Sequence, residues 1–186
     1  MGQTGRLLLI VGNSGSGKDA LITEVLARWP RHLTPLRTPQ RYITRPEHDS
    51  EMYRSVTPAE FKKLERGNTF WLTWRIYHTD YGVPAVLWDW LRRRQHVLVN
   101  VSRKIIPQAR QLLPNLKVIF VSVPIDISTQ RMRSRQREAE NNPLFQQRLQ
   151  RAKENQTLEQ ADFTIDNSGS LDESAEKLLN YLLSFC

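Results

Sequence analysis

Three short apolar runs stand out along the chain: Leu7 to Val11, Val97 to Val101 and Val118 to Val123. Each has five or six residues, against roughly 18 for a bilayer-crossing helix, so each predicts a buried strand. Elsewhere the apolar positions take helical spacing. Lys18 to Trp29 carries Leu21, Val25, Leu26 and Trp29 on one face. Pro30, Pro35 and Pro39 make residues 30–40 a poor helix and a poor central strand. Thr57-Pro58-Ala59-Glu60 supplies a capping hydroxyl, a proline at the first helical position and an acid three residues on, predicting a helix to about Arg66 that Gly67 ends. A turn at Tyr81-Gly82 then leads to a helix over Pro84 to Gln95, with Leu87, Trp88 and Leu91 on one side. The pattern continues with a helical segment around Gln108 to Leu113, a long basic helical region over 125–153 and a short strand over Phe163 to Asp166. A second capping box, Ser170-Leu171-Asp172-Glu173, opens a terminal helix bearing Leu178, Leu179, Leu182 and Leu183. Buried strands alternating with helices predict an α/β domain whose central parallel sheet is covered on both faces. No repeat and no long linker interrupts the 186 residues, so one domain over 1–186 is expected.

Composition narrows the class. Hydrophobic residues make up 39% and charged residues 25%, as in soluble globular proteins. Cys186 is the only cysteine, which excludes an intrachain disulfide and any cysteine-held metal. Met1 to Arg6 has no charged leader followed by an apolar run, so a cytoplasmic location is the expectation, with no membrane partner. The net charge of +8 is unevenly spread: +9 on residues 1–127, +5 on 128–153 and −6 on 154–186. Clustered positive charge attracts polyanions, whether nucleic acid or a small phosphorylated substrate.

Gly12-Asn13-Ser14-Gly15-Ser16-Gly17-Lys18 decides between them. It matches the G-x-x-x-x-G-K phosphate loop and lies where that loop must lie, between a buried strand and the start of a helix. Glycines let backbone N–H groups wrap a phosphate, the helix N-terminus adds positive potential, and Lys18 brings a point charge to the β- and γ-phosphates of ATP or GTP. Asp19 departs from the pattern, because a Ser or Thr hydroxyl usually ligates magnesium at that position. Its carboxylate is a good ligand for a hard cation, or else an acid favoured by the helix dipole. No acid ends the other two apolar runs: Val97-Leu98-Val99 runs into Asn100, and Val118 to Val123 into Pro124.

Beyond the loop, Arg41-Tyr42-Ile43-Thr44-Arg45-Pro46, Tyr53, Glu65, Gly67, Phe70 and Tyr81-Gly82 follow in an order and spacing that resembles the acceptor-binding region of guanylate kinases. The resemblance continues in Gln130-Arg131-Met132-Arg133-Ser134-Arg135, in Arg148 and in Asp162 to Asn167. It implies a P-loop kinase of three-layer α/β/α build, with an acceptor-binding insertion over residues 33–92 and an arginine-rich lid over 128–153. It further implies ATP and magnesium as cofactors, with Gly12 to Asp19 and Asn167 around the nucleotide, and the carboxylate chemistry of Asp19 makes it the expected metal ligand. Lys18, Arg131, Arg135 and Arg148 become the catalytic group, and Arg45, Tyr53, Tyr81 and Arg103 the ligands of the acceptor. On the residues alone, Tyr53 and Tyr81 also suit a half-buried core, and the three arginines a solvated face.

Departures from the family fall on one side. Thr73, within Trp71-Leu72-Thr73-Trp74, replaces a glutamate that reads guanine, and Pro84 replaces a serine. His48 stands near the place of a second arginine, and Asn100 and Ser102 replace acids. A pocket built to hydrogen-bond its base does not lose those groups and keep its selectivity. With Gly12 to Asp19, Arg41 to Arg45 and Val97 to Arg103, the chain is similar to a bacterial branch of the family that phosphorylates the 1-phosphate of ribose 1,5-bisphosphate. That similarity implies a small phosphorylated sugar as substrate, 5-phosphoribosyl 1-diphosphate and ADP as products, and a place in phosphonate breakdown. The same residues leave open a nucleoside monophosphate kinase, a non-catalytic guanylate-kinase-like interaction module and a nucleic-acid binder. The intact loop opposes the module, and the lack of a recognition motif opposes the nucleic-acid binder.

Overall fold

The structure, a computed structural model, describes residues 5–46, 53–134 and 141–186. The first half of the chain forms β1 (Leu7–Gly12), α1 (Lys18–Arg28), β2 (Arg41–Ile43), β3 (Tyr53–Ser55), α2 (Pro58–Arg66), β4 (Phe70–Ile76), β5 (Thr79–Pro84) and α3 (Leu87–Arg92). Then come β6 (Val97–Asn100), a 3₁₀ turn at Arg103–Ile105, α4 (Ile106–Leu112), β7 (Lys117–Ser122), α5 (Ile125–Ser134), α6 (Pro143–Glu154), β8 (Phe163–Asp166) and α7 (Leu171–Leu183). The chain divides into two compact units, Met1–Leu7 with Thr34–Leu116, and Leu8–Leu33 with Lys117–Cys186.

Each apolar run becomes a strand of one sheet with order β6-β1-β7-β8, and the helical stretches between them make this the expected α/β fold with a central parallel sheet. In the second unit β1 pairs in parallel with β7 from Leu8↔Lys117 to Gly12↔Val121, and β7 with β8 from Ile119↔Phe163 to Ser122↔Asp166. Leu8 to Val11 are 0% exposed, as continuous apolar sequence requires of a strand covered on both faces. Asp162 anchors the start of β7: its carboxylate accepts from the Val118 N–H at 2.8 Å and from Lys117 Nζ at 3.0 Å. The basic region over 125–153 is two helices, α5 and α6. Arg135 lies outside the described residues.

The first unit holds a second sheet, β3-β2-β5-β4, that the sequence pattern does not announce. β2 and β3 are parallel, and the other pairs are antiparallel. Tyr81-Gly82 is therefore strand rather than turn, and its glycine has a packing reason: a Cβ at Gly82 would stand 2.7 Å from the Phe70 ring. Phe70 also stacks on Phe61 of α2, with centroids 4.8 Å apart. Because Pro84 closes β5 opposite Phe70, the expected helix over Pro84 to Gln95 shortens to Leu87–Arg92. Thr57 caps α2 as predicted, its hydroxyl accepting from the Glu60 N–H while the Glu60 carboxylate accepts from the Thr57 N–H. Donation to that carboxylate from the Thr57 N–H first, and then from the Thr57 hydroxyl, holds the Glu60 carboxyl below its ordinary pKa. Ser170 accepts likewise from the Glu173 N–H at the start of α7.

Two local features generate tests. The β4–β5 hairpin turns through Tyr77 and His78, both at positive φ (51° and 62°), the geometry that usually recruits Asn-Gly. His78→Gly relieves the left-handed strain and should stabilise the protein by about 0.5–1 kcal/mol, read as a higher urea midpoint. His96 Nδ1 accepts from the Arg6 N–H at 3.1 Å, and burial first, then the Arg6 charge, pushes its pKa below 6.5. The folded state thus binds fewer protons there than the unfolded chain, and stability falls as pH drops below about 6.5. His96→Asn, which keeps an acceptor and cannot titrate, should flatten the part of the pH 7 to 5 decline that urea titrations assign to this site.

Candidate functional site

β1 ends at Gly12, and the chain turns through Asn13 to Gly17 into α1. Three neighbours in the second unit leave no space for side chains at the loop's three glycines. A Cβ at Gly12 would meet the Val121 carbonyl at 2.6 Å, one at Gly15 the Ser128 carbonyl at 2.4 Å, and one at Gly17 the Asn167 amide at 2.5 Å. Gly15 (φ 78°) and Gly17 (φ 84°) are also left-handed, which only glycine adopts cheaply. Lys18 Nζ lies over the loop, donating to the carbonyls of Gly12 (2.9 Å) and Asn13 (3.0 Å) and to Ser16 Oγ (3.1 Å).

Two asparagines fix the loop from distant sequence. Asn167, just past β8 and 3% exposed, donates from Nδ2 to the Ser16 carbonyl at 2.8 Å. Asn13 donates from Nδ2 to the carbonyls of Ala152 (3.2 Å) and Asn155 (2.8 Å), receiving the C-terminal end of α6. Its side chain was expected only as part of a phosphate-wrapping stretch, and nothing local in the sequence signals this second use. Arg131, on α5, brings a guanidinium nitrogen to 3.7 Å from the place of a Gly17 Cβ. Among the described residues that nitrogen is buried without a hydrogen-bond partner, as is Oδ1 of Asn167. An unpaired charged donor and an unpaired acceptor beside a helix N-terminus are what a bound nucleotide would satisfy. Arg148 lies half-buried on α6, and Asp19, half-buried, follows Lys18 in α1.

The expected acceptor residues all belong to the first unit. Arg45 follows β2, and its guanidinium sits 5.0 Å from the ring centroid of Tyr53 on β3. Tyr53 is buried, and its hydroxyl donates to the Pro46 carbonyl. Tyr81, on β5, stacks on Trp74 with centroids 5.3 Å apart and planes 4° from parallel. Arg103 opens the 3₁₀ turn after β6. The Thr73 hydroxyl donates to the Glu65 carboxylate at 2.9 Å.

The chemistry of these groups fits ATP. A magnesium ion arriving with the nucleotide also fits, since such an ion needs only one or two protein carboxylates. Asp19, next to Lys18 in α1, is a carboxylate that would help to hold such an ion.

The family model described as guanylate kinase matches residues 4–184. A protein of Pseudomonas paraeruginosa named ribose 1,5-bisphosphate phosphokinase PhnN is 40% identical over 181 residues, 96% of each chain. Proteins of the same name are 33% identical in Bradyrhizobium diazoefficiens, over 96% of this chain and 88% of that one, and 34% identical in a Janthinobacterium species, where the match takes up 39% of a longer chain. Among solved structures, guanylate kinase from Anaplasma phagocytophilum shares the fold, with a TM-score of 0.71 at 18% identity over 98% of this chain and 86% of that one. With residues 4–184 matched by the family model and full-length relatives at this identity, the chain belongs to the guanylate kinase family, alongside its members named ribose 1,5-bisphosphate phosphokinase.

Proposed function

We propose that this protein transfers the γ-phosphoryl group of ATP to the 1-phosphate of ribose 1,5-bisphosphate, giving 5-phosphoribosyl 1-diphosphate and ADP. The observation that carries the acceptor assignment is Thr73, whose hydroxyl is taken up by Glu65 where a guanine reader would have to be. The relatives' shared name supports the same substrate.

In this reading an oxygen of the acceptor's 1-phosphate attacks the γ-phosphorus, and the bond to the oxygen bridging the β- and γ-phosphates breaks. That oxygen leaves with ADP. The attacking oxygen is already ionised at neutral pH, so no general base is required, and the protein's work is positioning and charge neutralisation. Lys18 exchanges its loop carbonyls for phosphate oxygens. Arg131 gives its unpartnered nitrogen to the phosphates, and Asn167 Oδ1 accepts a donor such as the exocyclic amine of adenine. Arg148, with Arg135, adds positive charge over the transferred group. Arg45, Tyr81 and Arg103 hold the acceptor's phosphates, for which a planar guanidinium fork is better suited than an ammonium. Magnesium, when bound with ATP, offsets negative charge on the β- and γ-phosphates, and Asp19 would help to hold it.

Two outcomes are expected. Incubated with ATP in parallel, ribose 1,5-bisphosphate should have a specificity constant at least about 100-fold above those of GMP and AMP, measured as ADP release. Equal values for GMP would replace the sugar acceptor with a nucleotide. Lys18→Ala should lower kcat by about 100- to 1,000-fold while its circular dichroism and urea midpoint stay near those of the parent, because Lys18 is a half-buried cation over the loop and not a core side chain.

A further inference from the structure

One row of paired residues crosses the sheet β3-β2-β5-β4. Tyr81 of β5 pairs with Trp74 of β4 on one side and with Ile43 of β2 on the other, and Ile43 pairs with Ser55 of β3. Residues paired in this way share a face. Tyr53 lies two residues before Ser55, so the pleat sends its ring to that face as well, where it meets the Arg45 guanidinium. Three of the residues proposed above for the acceptor, Arg45, Tyr53 and Tyr81, therefore gather on the face that carries Trp74. Ile43, Leu72 and Val83 already make a buried apolar floor there. Trp74, on the edge strand, is only half-buried beside them, as is Tyr81.

We infer that Trp74 is a positioning residue for the acceptor: its indole holds the Tyr81 ring, and with it the Tyr81 hydroxyl, in the orientation that meets a phosphate. The two rings lie 4° from parallel with centroids 5.3 Å apart, a stack in which each ring limits the torsions of the other. The backbone beneath is tied too. The Thr44 N–H donates to the Asp80 carbonyl at 3.0 Å and the Asp80 N–H to Thr44 Oγ1 at 2.8 Å, which fixes the residue before Tyr81 against the end of β2. A phenolic oxygen lies on the long axis of its ring, so a ring held in place leaves only the hydroxyl proton to rotate. An acceptor phosphate then meets a donor whose ordering cost has already been met within the sheet. The inference rests on Tyr81 being an acceptor ligand, as proposed above.

The test is a double-mutant cycle on acceptor KM and kcat with ribose 1,5-bisphosphate at saturating ATP and magnesium. Tyr81→Phe keeps the ring and removes the donor, and should raise KM at least about tenfold, as expected for a hydrogen bond to a charged group. Trp74→Leu should raise KM about three- to tenfold with kcat changing less, and Trp74→Phe, which restores a ring to stack on, less than about twofold. In the Tyr81→Phe background Trp74→Leu should add nothing, because the hydroxyl it acts through is gone. The KM for ATP should stay at the parent value in every variant. If Tyr81→Phe alone leaves the acceptor KM unchanged, Tyr81 is not a ligand, and the acceptor reading fails at that residue together with this inference. If Tyr81→Phe raises KM but Trp74→Leu raises it by the same factor in both backgrounds, Trp74 acts independently of the hydroxyl and only the inference is overturned. Equal effects of Trp74→Phe and Trp74→Leu overturn it as well, because stacking is then not what Trp74 supplies. Should Trp74→Leu fail to fold, Trp74→Val, whose side chain favours strands, takes its place in the cycle.

Discussion

The nucleotide end of the molecule is organised by the lack of space around three glycines. β7 presses on Gly12, α5 on Gly15 and the residue after β8 on Gly17, each within 2.6 Å of where a Cβ would be. Backbone crowded in this way has one conformation open to it, and the site inherits that conformation. Lys18 reaches back over the loop because the loop's carbonyls are fixed, and Asn167 can hold Ser16 only because Gly17 yields its side-chain volume. The buried β1 strand delivers the loop to this place, which is why an apolar run comes immediately before the glycine loop.

What was legible in the sequence follows from how local each constraint is. Strand, glycine loop and helix are set by contiguous residues, so Leu7 to Trp29 could be read directly. The Thr57 capping box was legible for the same reason. Arg131 and the Asn167 side chain reach the loop from far along the chain, 151 residues in the case of the Asn167–Ser16 bond, and nothing local announces the approach. For those two, the family resemblance supplied the place and the structure the contacts. The second sheet escaped notice because β2 and β3 are three residues each, and because the hairpin between β4 and β5 turns on Tyr77-His78 without a turn-forming residue. Gly82 then drew the turn to the wrong place, its real cause being the Phe70 ring.

Positive charge is likewise used with more order than composition suggests. The +8 of the chain reads as a diffuse attraction for polyanions. Individual cations are nonetheless tied to particular tasks: Arg28 joins Glu24 and Asp172 between α1 and α7, Lys117 meets Asp162 at the foot of β7, and Arg45 rests on Tyr53. Steering by net charge brings a phosphate near, but only placed guanidinium and ammonium groups distinguish one phosphate oxygen from another.

The bond from Asn13 to the end of α6 has a thermodynamic side. Two hydrogen bonds join a loop residue to the last turn of a helix some 140 residues later in sequence. At about 1 kcal/mol each, they make a form with α6 parted from the loop roughly thirtyfold rarer than the joined form. A ligand that disturbs the Asn13 amide reduces that ratio and one that leaves it in place preserves it, so occupancy of the loop is written into the resting population of the helix.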